Sequence, residues 1–188
     1  MILEKRVSKF YLYLWIVWAL RLTLSSISSA LVLAICVSAY LYISQGMAQL
    51  TPELQEALFD ITKFWFLILW NFTLLLFLFR TLKAVFNRCY NKYKLQLLTC
   101  PKEGEIQVIE EVGYGDLVKV WRKWFMLIIW LVGAQMIVAL IFSYTLSEST
   151  AVFDWFNIYV LYVFILVAGY FSFMILTARC KRVKLVKC

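Results

Sequence analysis

Apolar residues fall in four long blocks separated by three polar stretches. The first block, Phe10 to Ser44, is broken only by Arg21; the others run from Phe64 to Phe79, Trp124 to Leu146 and Phe156 to Thr177. Crossing a hydrocarbon layer about 30 Å thick takes about 20 residues of helix. Each block therefore reads as one crossing, and the fold class expected is an all-α integral membrane protein, a four-transmembrane-helix bundle. The first block is too long for a plain crossing, since as one helix it spans about 52 Å at about 1.5 Å per residue. An N-terminal interfacial helix over 1–21 resolves the excess, with Tyr11, Tyr13, Trp15 and Trp18 at headgroup level and Arg21 snorkelling; the crossing then occupies 22–44. A single long tilted helix is the alternative. The basic start (Lys5, Arg6, Lys9) leads into a run longer than the apolar part of a signal peptide, with no clear cleavage site, so it reads as a retained anchor.

The polar stretches divide the rest. Residues 45–63 form an extracytoplasmic connection and the start of helix 2, where Thr51-Pro52-Glu53 supplies a cap, a first-position proline and a first-turn acid. The crossing at 64–79 is followed by a cytoplasmic helix extension and hairpin over 80–123. Within it, Glu105 to Val112 alternates as a strand, Gly113 to Asp116 turns, and Leu117 to Trp121 returns as the second strand. A crossing at 124–146, a short extracytoplasmic loop at 147–155, a crossing at 156–177 and a basic tail at 178–188 complete the chain.

Charge orients this plan. Four Lys/Arg lie in the segment ending at Arg21, nine in 80–123 and five in the tail, while Lys63 alone lies towards the other side. Eighteen against one is a strong positive-inside bias, expecting both termini in the cytoplasm. The short chain without a targeting signal points to a bacterial inner membrane. The net charge of +8 is spent at the membrane boundary, so anionic lipid headgroups rather than nucleic acid are the expected polyanions. Arg80, Lys83, Arg88, Arg179, Lys181 and Arg182 are the candidate headgroup or partner contacts.

Composition narrows the chemistry. Hydrophobic residues make up 64% of the chain, against about 45–50% in a soluble domain. There is no histidine, which removes the commonest general base and haem ligand. No span carries an acid near its centre, which disfavours ion-coupled transport. The five cysteines, Cys36, Cys89, Cys100, Cys180 and Cys188, are expected as free thiols, because four fall on the cytoplasmic side. No cofactor, metal site or catalytic residue is expected. Polar and small residues inside the spans are read as helix-packing or pore-lining positions: Ser25, Ser26, Ser28 and Ser29 in the first, Asn71 in the second, Gly133 and Gln135 in the third, Gly169 in the fourth.

Two local patterns stand apart. Val112-Gly113-Tyr114-Gly115-Asp116 resembles the core of the potassium-channel selectivity filter, which implies stacked carbonyls replacing an ion's hydration shell. Three features depart from that family: Glu111 stands where its threonine belongs, the preceding PKEGEIQVIEE cannot bury as a pore helix, and the charge count places the string in the cytoplasm. The other pattern hints at internal duplication. Lys9-Phe10-Tyr11 is similar to Lys123-Trp124-Phe125, and Ala57-Leu58-Phe59-Asp60 to Ala151-Val152-Phe153-Asp154. The expected function is a non-catalytic multi-pass subunit assembling with itself or partner proteins in a membrane complex, for example a secretion or conjugation machine; the alternative is an oligomeric ion channel or pore.

Overall fold

The computed structural model describes residues 2–46, 51–90, 92–98, 108–109, 113–146, 156–179 and 183–188. Among the described residues four helices predominate: α1 (Ile2–Ser44), α2 (Pro52–Lys83), α3 (Tyr114–Leu146) and α4 (Ile158–Arg179). All four are long and apolar enough to cross a membrane, so this is a multi-pass membrane protein. Four short strands accompany them: β1 (Cys89–Tyr90), β2 (Tyr93–Leu98), β3 (Val108–Ile109) and β4 (Val183–Lys187). The fold is thus helical with a small antiparallel sheet rather than purely α.

Helix α1 runs through Arg21 without a break, so no separate interfacial helix precedes the first crossing. Neither Gly nor Pro interrupts residues 2–44, and nothing in the backbone favours stopping at residue 21. The helix closes where it can: Gly46 takes a φ of 85° and donates to the Ile43 carbonyl, the usual left-handed exit that glycine allows. Helix α2 opens as its sequence asks. The Thr51 hydroxyl accepts the Leu54 N–H, Pro52 fills the first position, and Glu53 lies in the first turn.

The chain divides into two compact units, residues 18–82 and residues 1–17 with 83–188. In the first, α1 and α2 are joined by hydroxyl bonds. The Thr62 and Ser38 hydroxyls bond each other at 2.8 Å, and buried Thr73 donates to the Ser26 carbonyl at 3.1 Å.

The second unit is built on β2. Its side chains alternate, with Tyr93, Leu95 and Leu97 buried, as expected of a strand with one covered face. Strand β4 pairs antiparallel along one edge, from Tyr93 opposite Lys187 to Leu97 opposite Val183. On the other edge β1 pairs at one end (Tyr90 opposite Tyr93) and β3 at the other (Leu97 opposite Ile109). Left-handed Lys92, φ 71°, makes the tight β1–β2 turn. Asn87, φ 59°, donates its N–H to Leu95 and its side-chain amide to Ile109, tying both edges of the loop to the sheet.

A small antiparallel hairpin does lie between α2 and α3, as expected, but it is formed by β1 and β2 and not by the strands read from sequence. The expected return strand, Leu117 to Trp121, is the first part of α3, because Leu117, Val120, Trp124 and Ile128 recur at helical spacing and are all buried. Of the other expected strand only Val108 and Ile109 are described, and they pair with β2; the rest of 105–112 lies outside the described residues. The helix extension expected after residue 80 ends at Lys83.

The cysteine expectation also needs correcting. Cys89 and Cys188 are disulfide-bonded, with Cα atoms 6.2 Å apart. Their sequence separation of 99 residues hides the pairing; it follows from β4 returning beside β2 and from the Cys188 N–H donating to the Lys92 carbonyl. Cys36 is free and exposed, while Cys100 and Cys180 lie outside the described residues. Replacing Cys188 with Ser should speed amide exchange across 183–187 while leaving exchange in α3 and α4 unchanged. Equal protection of β4 in both proteins would mean that the bridge adds nothing to strand pairing.

Candidate functional site

Three sets of residues were expected to carry function: polar and small groups in the spans, cations at the boundary, and the Gly-Tyr-Gly-Asp string. The polar groups divide by where they turn. Ser25, Ser26 and Ser28 each donate to a carbonyl of their own helix three or four residues back, the ordinary way a serine satisfies itself where water is absent. Of this cluster, Ser26 is fully buried and its carbonyl receives Thr73, so it packs against α2; Ser28 is exposed and Ser29 half-buried. The four serines therefore do not form one polar lining.

Gln135 is the one predicted position that bonds across helices through its side chain. Its amide donates to Leu131 on its own helix and to the Phe164 carbonyl on α4, each at 3.2 Å. Gly169 is buried on α4, and its carbonyl accepts the hydroxyl of buried Ser172 at 2.8 Å. Gly133 is no close-approach point: a methyl placed there would meet nothing within 4 Å. Asn71 is exposed at the middle of the second crossing, and its amide donates only to Leu67 of its own helix, at 2.8 Å. It shares an outward stripe with Phe64, Phe72, Leu75 and Leu76, all exposed.

Sequence reasoning missed the aromatic seam at the start of α1. Of the residues expected in the headgroup belt, Tyr11 and Trp15 bond within the protein, while Tyr13 is exposed. Phe10 and Leu14 are fully buried, and Phe10 meets the Tyr93 ring edge-on at 6.0 Å. The Tyr11 hydroxyl bonds the Thr177 hydroxyl. The Trp15 indole donates to the Leu166 carbonyl at 2.8 Å and lies edge-on to Tyr170 at 6.0 Å. On α3, Trp124 stacks on Phe173. The signal was present in the chain: Phe10, Leu14, Leu117, Val120 and Trp124 follow helical spacing, as a covered stripe must.

At the boundary Arg80 and Arg88 are exposed, and exposed Lys83 lies over the Tyr114 ring, 4.6 Å from its centroid. Arg179 ends α4; Lys181 and Arg182 lie outside the described residues. The Gly-Tyr-Gly-Asp string is not the hairpin turn expected, nor a stack of free carbonyls. Tyr114, Gly115 and Asp116 form the first turn of α3, where the Gly113 carbonyl accepts the Leu117 N–H and Asp116 sits 3.7 Å from Lys119. Carbonyls committed to a helix cannot line an ion path. The second half of the duplicated pattern, 151–154, lies outside the described residues.

No family model, no curated protein and no solved structure matches the chain.

Truncating Phe10 to Ala should cost about 3–5 kcal/mol, as for other buried aromatics, and should loosen β2 as well as α1. Removing only the Tyr11 hydroxyl with Tyr11→Phe should cost about 1 kcal/mol. Thermal unfolding of the two variants in one detergent measures both. Comparable losses would contradict a seam held mainly by apolar burial.

Proposed function

We propose that the protein is a non-catalytic multi-pass membrane subunit that assembles through its spans with copies of itself or with partner membrane proteins. The observation that carries this reading is Asn71. One amide N–H is spent on the Leu67 carbonyl, and among the described residues the second N–H and the side-chain oxygen have no bond. Water would satisfy them on a soluble protein, but hydrocarbon offers nothing, and an unsatisfied amide there costs several kcal/mol. A neighbouring helix supplies the missing partner. The exposed Phe64, Phe72, Leu75 and Leu76 beside it give that helix an apolar surface to pack on.

The orientation that goes with this reading has both termini and the sheet in the cytoplasm of a bacterial inner membrane. It rests on eighteen Lys/Arg on one side against Lys63 on the other. The Cys89–Cys188 bridge speaks for the opposite side, since cytosolic thiols are kept reduced. The charge bias acts during insertion and so sets the topology first, whereas a bridge between exposed ends forms or opens later. Arg80, Lys83 and Arg88 then face anionic headgroups or a cytoplasmic partner.

Light scattering of the full-length protein in mild detergent tests the assembly. The wild type should run as an oligomer, Asn71→Leu should weaken association roughly fivefold, the value of one interhelical bond of about 1 kcal/mol, and Asn71→Gln should retain it. A wild type that stays monomeric, and from which cross-linking in the membrane captures nothing, overturns the proposal. Orientation is tested separately by a C-terminal reporter: fluorescence of a fused cytosolic reporter is expected, and activity of a fused periplasmic phosphatase would reverse the topology.

A further inference from the structure

Two open grooves flank the points where α1 and α3 enter their apolar runs, and they are built from the same helical positions. The first, about 600 Å³, is lined on α1 by Lys9, Leu12, Tyr13 and Ile16 and closed on the sheet side by Cys89 and Tyr90. The second, about 410 Å³, is lined on α3 by Lys123, Met126, Leu127 and Trp130, with Arg122 beside the lysine. Ile175 and Leu176 of α4 form its other wall. The α3 positions follow the α1 positions residue for residue at a constant offset of 114 (9 to 123, 12 to 126, 13 to 127, 16 to 130).

Burial repeats with the same offset. Phe10 and Leu14 are buried behind the first groove, Trp124 and Ile128 behind the second, while Leu12, Ile16, Met126 and Trp130 face outwards. Each helix thus presents an exposed cation, then an apolar stripe three, four and seven residues further on. The stripe extends about 10 Å from the cation at about 1.5 Å per residue. Among the described residues neither lining contains an acid, so none of these neutralises the cations.

From this geometry we propose that each groove seats one anionic phospholipid. The phosphate lies against Lys9 in the first groove and against Arg122 and Lys123 in the second, and an acyl chain runs along the outward stripe. Charge complementarity selects the occupant. A zwitterionic lipid brings its own cation to the same point, a protein helix would need an acid at its end, and a free anion would leave the stripe uncovered. Trp130, 76% exposed, and Tyr13 add the flat amphipathic surfaces that favour the boundary between headgroup and chain. Arg122 offers a fork of donors to phosphate oxygens, whereas Lys9 and Lys123 act as point charges. The sites depend on the spans crossing a bilayer and not on the assembly through Asn71, so either can fail alone.

The test is native mass spectrometry of the full-length protein incubated with phosphatidylglycerol or with phosphatidylcholine of the same chains. Two phosphatidylglycerol molecules per chain should survive mild activation, and phosphatidylcholine should be stripped. Lys9→Gln should remove one and Arg122→Gln with Lys123→Gln the other, with occupancy falling roughly fivefold per cation removed. Lys9→Arg and Lys123→Arg should retain both, which separates lost charge from lost fold. Lys63→Gln, an exposed cation outside both linings, should change nothing, which separates a local site from net charge. Glycerol phosphate, the headgroup without chains, should displace neither molecule. Equal retention of the two lipids, indifference to the groove variants, or displacement by glycerol phosphate would each overturn the proposal.

Discussion

Inside a bilayer there is no water to take up a hydrogen bond, and most of this molecule answers to that fact. Backbone groups there must be satisfied within the chain, and the four long helices do it locally. Side chains follow the same rule. The hydroxyls of Thr23, Ser25, Thr62, Thr81 and Thr145 all return to a carbonyl four residues back. A serine-rich first span, which on a soluble helix would mark a wet face, is thereby mostly self-contained. The informative positions are those where a polar group bonds elsewhere, as Thr73 and Gln135 do, or faces outwards with capacity left over, as Asn71 does.

Outside the spans the controlling event is the return of the tail. Strand β4 pairs along the length of β2, so a six-residue strand that would be marginal alone acquires partners on both edges. The buried face of β2 then has Phe10 to close on, and the first turns of α1 become part of the same core as the last turns of the chain. The Cys89–Cys188 bridge joins the tail to β1 and not to the strand it pairs with. The tail is therefore held twice, by ladder hydrogen bonds and by a covalent link at its tip. The bridge needs an oxidising setting to persist, whereas the ladder does not.

What could be read from sequence divides along the same line. The four spanning helices were legible because an apolar block of such length has few alternatives. The start of α2 was legible because Thr51, Pro52 and Glu53 act locally. A hairpin between α2 and α3 was legible, but its strands and the β4 pairing were not, because the Tyr93–Leu98 and Val183–Lys187 runs are short and their pairing spans half of the chain; neither half names its partner. Leu117 to Trp121 alternates like a strand and also fits a helix, and continuity with the following apolar run decides for the helix. The aromatics of residues 10–15 fit a headgroup belt or a packed seam equally well by composition, and only the presence of β2 and α4 selects the seam. Among the candidate positions, Gln135 bonds a carbonyl of α4 and Ser26 is buried beside Thr73, whereas Gly133 touches nothing that a side chain would disturb. Small residues permit close approach without requiring it.

The likeness between the starts of α1 and α3 has a physical explanation that needs no common ancestor. Each helix passes from a basic segment into an apolar one, each is covered on one side, and each leaves the other side exposed. A helix under those three conditions turns a large apolar residue inward one position after its boundary lysine, Lys9 or Lys123, and another four residues later. It must also place its outward apolar residues at the third and seventh positions, because 3.6 residues make a turn. The inward partners differ: Phe10 meets Tyr93 of the sheet, and Trp124 meets Phe173 of α4. A duplicated hairpin would be expected to keep its partners as well as its pattern. Shared boundary conditions preserve the pattern alone, and that is the combination observed.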